Sequence, residues 1–261
     1  MELHLENKVA LVVASSQGLG KAIATRLVEE GAHVMLASRD AGKLEAVQQQ
    51  LLALNKGKAA YCAADITSME QIRKMVAATV ETFGKIDIVV NNAGGPPGGT
   101  FEQLSDDQWQ SGFELNLLSY IRIIRETLPE LKKNGGKIIN IASSSIKQPI
   151  PGLLLSNTFR LGIVGLTKTL AEELAPYRIL VNTVAPGRIA TERVALLDQQ
   201  KAEKSGVTRE QIAEQSRKAI PLNRYGTPEE FANVVTFIAS DANSYMTGNS
   251  ILVDGGMIKS I

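Results

Sequence analysis

Seven short apolar runs, separated by longer amphipathic stretches, constrain this chain more than anything else in it. The runs are VALVVAS (9–15), HVMLAS (33–38), AAYCAAD (59–65), IDIVVNNAG (86–94), GKIINIAS (136–143), ILVNTVAP (179–186) and NSILVDGG (249–256). They are continuous rather than alternating, and rich in Val and Ile. Strands buried on both faces of a parallel sheet have this pattern. Between them, helical patterns cover residues 18–30, 40–55, 68–83, 106–133, 152–175 and 227–240. Strands alternating with helices imply βαβ units, and right-handed crossovers then leave a doubly wound α/β fold, about seven strands with helices on both faces. No linker, repeat or low-complexity tract interrupts the chain, so residues 1–261 form one expected domain.

Composition narrows the function. A chain of 261 residues with 44% hydrophobic content can bury one large core. Its net charge of +1 shows no basic excess of the kind nucleic acid or a polyanion would need. No apolar stretch approaches the ~18 residues of a membrane span. The start, MELHLENKVALVV, has neither a basic leader nor a small-residue cleavage site. Cys62 is the single cysteine, and with only His4 and His33 as histidines no metal cluster is expected. A soluble cytoplasmic protein with a small-molecule substrate is the expectation.

Two places break the rhythm. GGPPGG (94–99) can be neither helix nor central strand and must be a loop. Residues 187–226 are too long for an ordinary connection and carry helical pattern in TERVALLDQQKAEKSG and TREQIAEQSRKAI. An insertion at the carboxyl end of a strand overlies the ligand crevice of an open sheet. A substrate lid is expected there, with a small structural subdomain as the alternative.

The first strand runs into ASSQGLGKAIATRL, where Gly18 and Gly20 mark a turn into a helix. Small residues let the backbone approach a pyrophosphate, and the helix start offers free N–H groups. The second strand ends in Ser38 and Arg39 rather than in a carboxylate. A guanidinium suits a 2′-phosphate, which a carboxylate would repel. NADP(H) is therefore the preferred cofactor and NAD(H) the alternative, Arg39 being in that case a solvated charge at a helix start. Asp40 is a candidate cap for the following helix. The third strand leads to Asp65 and Ile66, where the acid can bond an adenine amino group or cap the next helix.

These features, taken in order, resemble the short-chain dehydrogenase/reductase family over nearly the whole chain. ASSQGLG (14–20) is similar to its glycine turn, NNAG (91–94) to its fourth-strand motif, NTVAPGRIAT (182–191) to the segment lining the nicotinamide, and TGNSILVDGG (247–256) to its last strand. Asn116 and Ser143 match the family's catalytic asparagine and serine. The resemblance implies a Rossmann-type fold and a 3-oxoacyl-(acyl-carrier-protein)-reductase-like activity. It implies cofactor contacts at Ser15, Ser16, Gly18, Leu19, Gly20, Ser38, Arg39, Asp65, Ile66, Asn92, Ala93, Gly94, Arg160, Pro186, Gly187, Ile189 and Thr191. It also implies a homo-oligomer, tetramer or dimer, built on the helices 106–133 and 152–175.

Two departures stand out. Ala14 occupies the place of the first glycine, and its β-carbon should keep that turn away from positive φ. More consequentially, the family's tyrosine and lysine become Ser156 and Arg160 in LSNTFR (155–160). The spacing from Ser143 and the following Gly165, Leu166 and Thr167 fix the register, and no tyrosine lies between Tyr120 and Tyr177. Serine is a far poorer acid than tyrosine and a whole ring shorter. Arg160, four residues on, shares a helix face with Ser156 and is expected to aim its charge at the cofactor ribose, though it cannot relay a proton. Ser143, Asn116, Ser156 and Arg160 are thus the candidate catalytic set. Tyr120 and Lys147 are candidate substitute acids, with a packing role and a solvated loop position as the alternatives, and Arg188 is a candidate crevice contact. Two functions remain open: a reductase with altered proton delivery, or a non-catalytic dinucleotide-binding sensor.

Overall fold

The computed structural model describes residues 2–260. Seven strands form one parallel sheet: β1 (Val9–Val13), β2 (His33–Ser38), β3 (Ala59–Ala63), β4 (Ile88–Asn91), β5 (Gly136–Ile141), β6 (Ile179–Pro186) and β7 (Ser250–Val253), in the order β3-β2-β1-β4-β5-β6-β7. The strand order reverses between β1 and β4, whose register pairs Val12 with Val90. A crevice opens at the carboxyl ends of the strands beside such a reversal.

Nine α-helices connect and flank the strands among the described residues: α1 (Gly18–Glu29), α2 (Ala41–Leu52), α3 (Met69–Phe83), α4 (Asp106–Phe113), α5 (Ser119–Asn134), α6 (Leu154–Leu174), α7 (Glu192–Ser205), α8 (Arg209–Lys218) and α9 (Pro228–Ala239). The two faces of the sheet form separate cores. Ala10 and Val12 of β1 pack with α1, α2 and α9, including Ile23, Val47 and Phe231. Leu11 and Val13 point the other way, toward Ile72 of α3, Ile123 of α5 and Ala171 of α6. Both faces of β1 are therefore dry, as its unbroken apolar run requires.

The expected helix over 106–133 is interrupted. Residues Glu114–Leu118 form a π-helical turn between α4 and α5. Such a turn carries one extra residue and is common at functional sites. Composition carries no signal for it. The short 3-10 helix Phe101–Gln103, capped by Thr100, and α4, capped by Ser105, both begin with Ser/Thr-x-x-Gln capping boxes.

A buried polar chain ties the centre of the sheet to α6. Asn91 donates to Asn140 (2.9 Å), Asn140 donates to Thr167 (2.9 Å), and the Thr167 and Thr183 hydroxyls lie 2.8 Å apart. These bonds link β4, β5, α6 and β6 at one level. They hold the strand ends in register immediately below the crevice.

Residues 187–226 fold as α7 and α8, and a parallel bridge between Ile189 and Gly226 closes the base of the insertion. Ala190 donates to the Gly226 carbonyl (2.8 Å) and Gly226 to that of Arg188 (3.0 Å). Just beyond, Thr227 and Glu230 form the capping box of α9, and Arg224 grips Glu230 with two bonds of 2.8 and 2.6 Å. The Arg224 bonds and then the Thr227 N–H hold the Glu230 carboxyl down at about 2, below its ordinary 4.5. A depressed carboxyl stabilises the fold above its unfolded pKa and loses that contribution as pH falls through the folded value. Glu230→Gln should lower Tm at pH 7, and its difference from the parent should shrink as pH falls from about 4.5 toward 2. Thermal melts across that window check this.

Candidate functional site

The glycine turn joins β1 to α1. Ala14 adopts φ +51°, contrary to the expectation that its β-carbon would exclude positive φ. The left-handed region costs a non-glycine residue roughly 1–2 kcal/mol. Local packing offsets this: the Ala14 carbonyl accepts from the Asn92 amide at 3.4 Å. Gly20 lies so close beneath that a β-carbon there would sit 2.2 Å from the Ala14 oxygen. Gly18, at φ +56°, does need its conformational freedom. A β-carbon on it would lie 3.8 Å from the Thr191 methyl, so the 187–226 insertion begins directly beside the turn. Ser16 and Leu19 are half-buried on this turn. Ser15 is fully buried, and its hydroxyl accepts from the Ala37 N–H at 2.9 Å, which joins the ends of β1 and β2. It supports the turn from inside the sheet. No side chain caps α1 and no acid stands in its first turn, leaving its N–H groups available to an anion.

At the end of β2, Arg39 is exposed, and Asp40 caps α2 by accepting from the Lys43 N–H at 3.0 Å. The Lys43 ammonium reaches back to Gln17 on the glycine turn (3.2 Å), adding a second cation to this end, one that the sequence reading missed. The Ser38 hydroxyl is buried without a partner. Arg39, Ala63, Ala64, Asp65 and Gln71 line a recess of about 240 Å³. Asp65 does not cap α3; Ser68 does, accepting from Gln71 N–H at 3.4 Å. The same Asp65 oxygen accepts from the N–H and hydroxyl of Thr67 (2.9 and 2.8 Å), which tightens the turn before α3. Ile66 beside it is buried.

The fourth strand leads into Asn92, Ala93 and Gly94, and four consecutive residues there are gripped from three directions. Arg160 donates to the Ala93 carbonyl (3.2 Å), Asn116 to the Gly94 carbonyl (2.7 Å), and Arg193 to the Pro96 carbonyl (3.0 Å). The Arg193 guanidinium lies flat against Gly95, where a β-carbon would come within 2.9 Å of it. Asn116 is presented from the π-helical turn, fully buried, with its side-chain oxygen unpartnered. Sequence reasoning missed Arg193; the available signal was a basic residue one turn into the helix that follows NTVAPGRIAT.

Arg160 is placed differently from the expectation. It is 4% exposed and turned into the protein rather than toward a ribose. Its guanidinium donates to Tyr120 (2.9 Å) and to the Ile141 carbonyl (2.8 Å) as well as to Ala93, and its Nε has no partner. Tyr120 in turn donates to the Ile141 carbonyl at 2.9 Å. Tyrosine 120 is completely buried, and burial pushes its hydroxyl pKa up, only partly opposed by Arg160. It is a packing residue and no substitute acid.

Ser143 follows β5, half-buried, its hydroxyl accepting from Ser145 N–H at 3.2 Å. Because Asn91 pairs with Asn140, the segments carrying Gly94 and Ser143 leave the sheet side by side. Pro186 lies on the adjoining strand, and Gly187 passes so close to Asp254 that a β-carbon would clash at 2.5 Å. Ile189 is buried at the base of the insertion. Ser156 is half-buried on the first turn of α6, beside Leu155, which packs with Phe159, Trp109 and Phe113. Its neighbour Asn157 clamps the preceding loop with two bonds to Ile150, of 3.1 and 3.0 Å. Lys147 is exposed. Arg188 is committed to the buried Asp198 of α7, which also accepts from the Tyr225 hydroxyl at 2.7 Å, so it braces the insertion. The described residues hold no cluster of potential metal ligands, and none of their helices is long and apolar enough to cross a membrane.

A family model described as Enoyl-(Acyl carrier protein) reductase matches residues 13–258. The chain belongs to the short-chain dehydrogenase/reductase family. It is 36% identical to the 3-oxoacyl-(acyl-carrier-protein) reductase FabG of Aquifex aeolicus, over 98% of this chain and all of that protein. It is 37% identical to Dehydrogenase/reductase SDR family member 4 of Caenorhabditis elegans, covering 97% of this chain and 96% of the relative. The crystal structure of L-sorbose reductase from Gluconobacter frateurii, complexed with NADPH and L-sorbose, superposes with a TM-score of 0.95 at 30% identity over the full length of both chains. Within this family framework, the inward Arg160 joins α6, α5 and the ends of β4 and β5. Arg160→Ala removes three donor bonds from a buried site and leaves the Ala93 carbonyl without its side-chain donor, and should lower unfolding stability by at least about 2 kcal/mol. Denaturant titration checks this, and Tyr120→Phe should cost markedly less.

Proposed function

We propose that the protein is an NADP(H)-dependent oxidoreductase acting on a carbonyl/alcohol pair, 3-oxoacyl-thioester-like in class, with proton delivery that does not use a tyrosine. One observation carries this reading: Asn116, the Ala93–Gly94 strip and Ser143 converge beside the glycine turn, at the strand-order reversal. The residues present fit the cofactor. The uncapped α1 start and the close Gly20–Ala14 packing suit a pyrophosphate, and Arg39 with Lys43 suits a 2′-phosphate. When bound, NADP(H) supplies or accepts the hydride. Ser143 holds the carbonyl oxygen by its hydroxyl, and Asn116 maintains the Gly94 backbone that borders it. Ser156, shorter than a tyrosine, leaves space through which solvent delivers the proton. The insertion 187–226 acts as the substrate lid, hinged at the Ile189–Gly226 bridge. The protein works as a homo-oligomer in the cytoplasm, with the exposed Leu161 of α6 on the shared face.

The second reading, a dinucleotide-binding sensor, draws on the inward Arg160 and the absent tyrosine. Steady-state reduction of acetoacetyl-N-acetylcysteamine with NADPH separates the two: turnover supports the enzyme, and tight NADPH binding without turnover on any ketone supports the sensor. Fluorescence titration should show NADPH bound more tightly than NADH. Arg39→Ala should weaken NADPH by about tenfold and leave NADH unchanged, the scale of one charge-assisted phosphate contact. Ser156→Tyr should raise kcat on a neutral ketone by at least about tenfold. A folded, NADPH-binding variant without that gain would show that proton delivery is not limiting.

A further inference from the structure

Arg193 stands out among the cations of the crevice. It arises from the first turn of α7, crosses to the loop after β4, and donates to Pro96. That bond engages one of the five N–H donors a guanidinium carries. No carboxylate among the described residues pairs with it, whereas Arg188 on the same insertion is paired with Asp198. Burial, and then the Arg160 charge, hold the Arg193 pKa below the usual arginine value. Arg160 is itself nine-tenths or more buried, has a buried Nε without a partner, and likewise has no carboxylate partner among the described residues. Two guanidiniums thus bond the same short loop, at Ala93 and at Pro96, and neither has a carboxylate partner among the described residues. Leaving buried cations uncompensated is unfavourable, and a fork of free donors matches a carboxylate bidentately. Gly95 provides the flat bed on which the fork lies; any side chain there would displace it.

We propose that Arg193 is a substrate-anchoring residue and that the substrate is an anionic carbonyl compound, an oxo acid whose carboxylate is received by the Arg193 fork beneath the lid. This rests on the carbonyl-reductase reading above and names its substrate class. Because Arg193 belongs to the insertion, the carboxylate would tie α7 to the Gly95–Pro96 loop, so that the ligand itself completes lid closure. The competing source of an anion is the cofactor pyrophosphate, since Thr191, two residues earlier, adjoins Gly18.

The test uses the full-length protein saturated with NADPH. Matched pairs are compared: acetoacetate with methyl acetoacetate, and levulinate with methyl levulinate, alongside the neutral thioester acetoacetyl-N-acetylcysteamine. The expected result is a kcat/KM at least about tenfold higher for the acids, on the scale of a charge-assisted bond. In Arg193→Ala that preference should collapse through KM, with kcat and NADPH affinity little changed, and Arg193→Lys should recover part of it. Thermal shift supplies a readout independent of turnover: levulinate should raise the Tm of the NADPH-loaded parent and leave Arg193→Ala unmoved. Reduction that favours the esters or the thioester overturns the proposal and leaves the reductase reading intact. Weakened NADPH binding in Arg193→Ala, with an unaltered acid preference, also overturns it and assigns Arg193 to the pyrophosphate. A lower Tm alone, with the acid-to-ester ratio unmoved, assigns Arg193 to holding the loop and overturns it as well. Arg193-dependent stabilisation by levulinate without reduction of any ketone supports the anion site and defeats the reductase reading.

Discussion

The crevice depends on the backbone carbonyls of Ala93, Gly94 and Pro96 being held by side chains from three separate elements. Arg160 reaches them from α6, Asn116 from the π-helical turn and Arg193 from α7. A run of glycine and proline has no regular hydrogen bonding of its own, so its shape must be supplied from outside. The Asn91–Asn140–Thr167–Thr183 chain below sets where that run leaves the sheet. The bonds of this lower chain are buried, so loosening one strands its partner in a poorly solvated place, while the clamps on the loop are part-buried. Geometry here is specified by hydrogen bonds, while the two apolar cores supply bulk stability without dictating the position of any one atom.

Much of this was legible from residues alone. The seven strands, their parallel sheet and the family followed from apolar runs and ordered motifs, because burial on both faces leaves a strong pattern in Val and Ile. The loop at 94–99 and the helical insertion at 187–226 followed from composition and length. What escaped was long-range and geometric. The π-helical turn at Glu114–Leu118 differs from an α-turn by one residue of hydrogen-bond register, and ELNLL satisfies either. The positive φ of Ala14 depends on Gly20 and Asn92 packing around it. The inward path of Arg160 depends on Tyr120, forty residues earlier, filling the space above Ile141. Pairings of that kind leave no local periodicity to read.

The replacement of the usual tyrosine and lysine now divides into two different events. At position 156, the serine is half-buried on α6, whose neighbouring Leu155 and Phe159 pack with Trp109 and Phe113. At position 160, a cation was kept but given new work, joining two strand ends to α5. Arg160 and Tyr120 form a unit, with the guanidinium 5.8 Å from the ring centre and bonded to the hydroxyl. A lysine would offer one compact charge where the guanidinium spans three acceptors.

The π-helical turn sets an angular phase for everything after it. An α-helix advances by about 100° and about 1.5 Å for each residue. The extra residue held in Glu114–Leu118 therefore turns α5 by roughly that angle relative to α4. With it, Asn116 faces Gly94 while Tyr120, one turn later, faces the Ile141 carbonyl and Arg160. Removing a single residue from this segment would rotate one set away from its partners whichever helix stayed seated. The chain thus has an internal length standard at this point, in which the residue count between Trp109 and Tyr120 matters as much as the identity of Asn116.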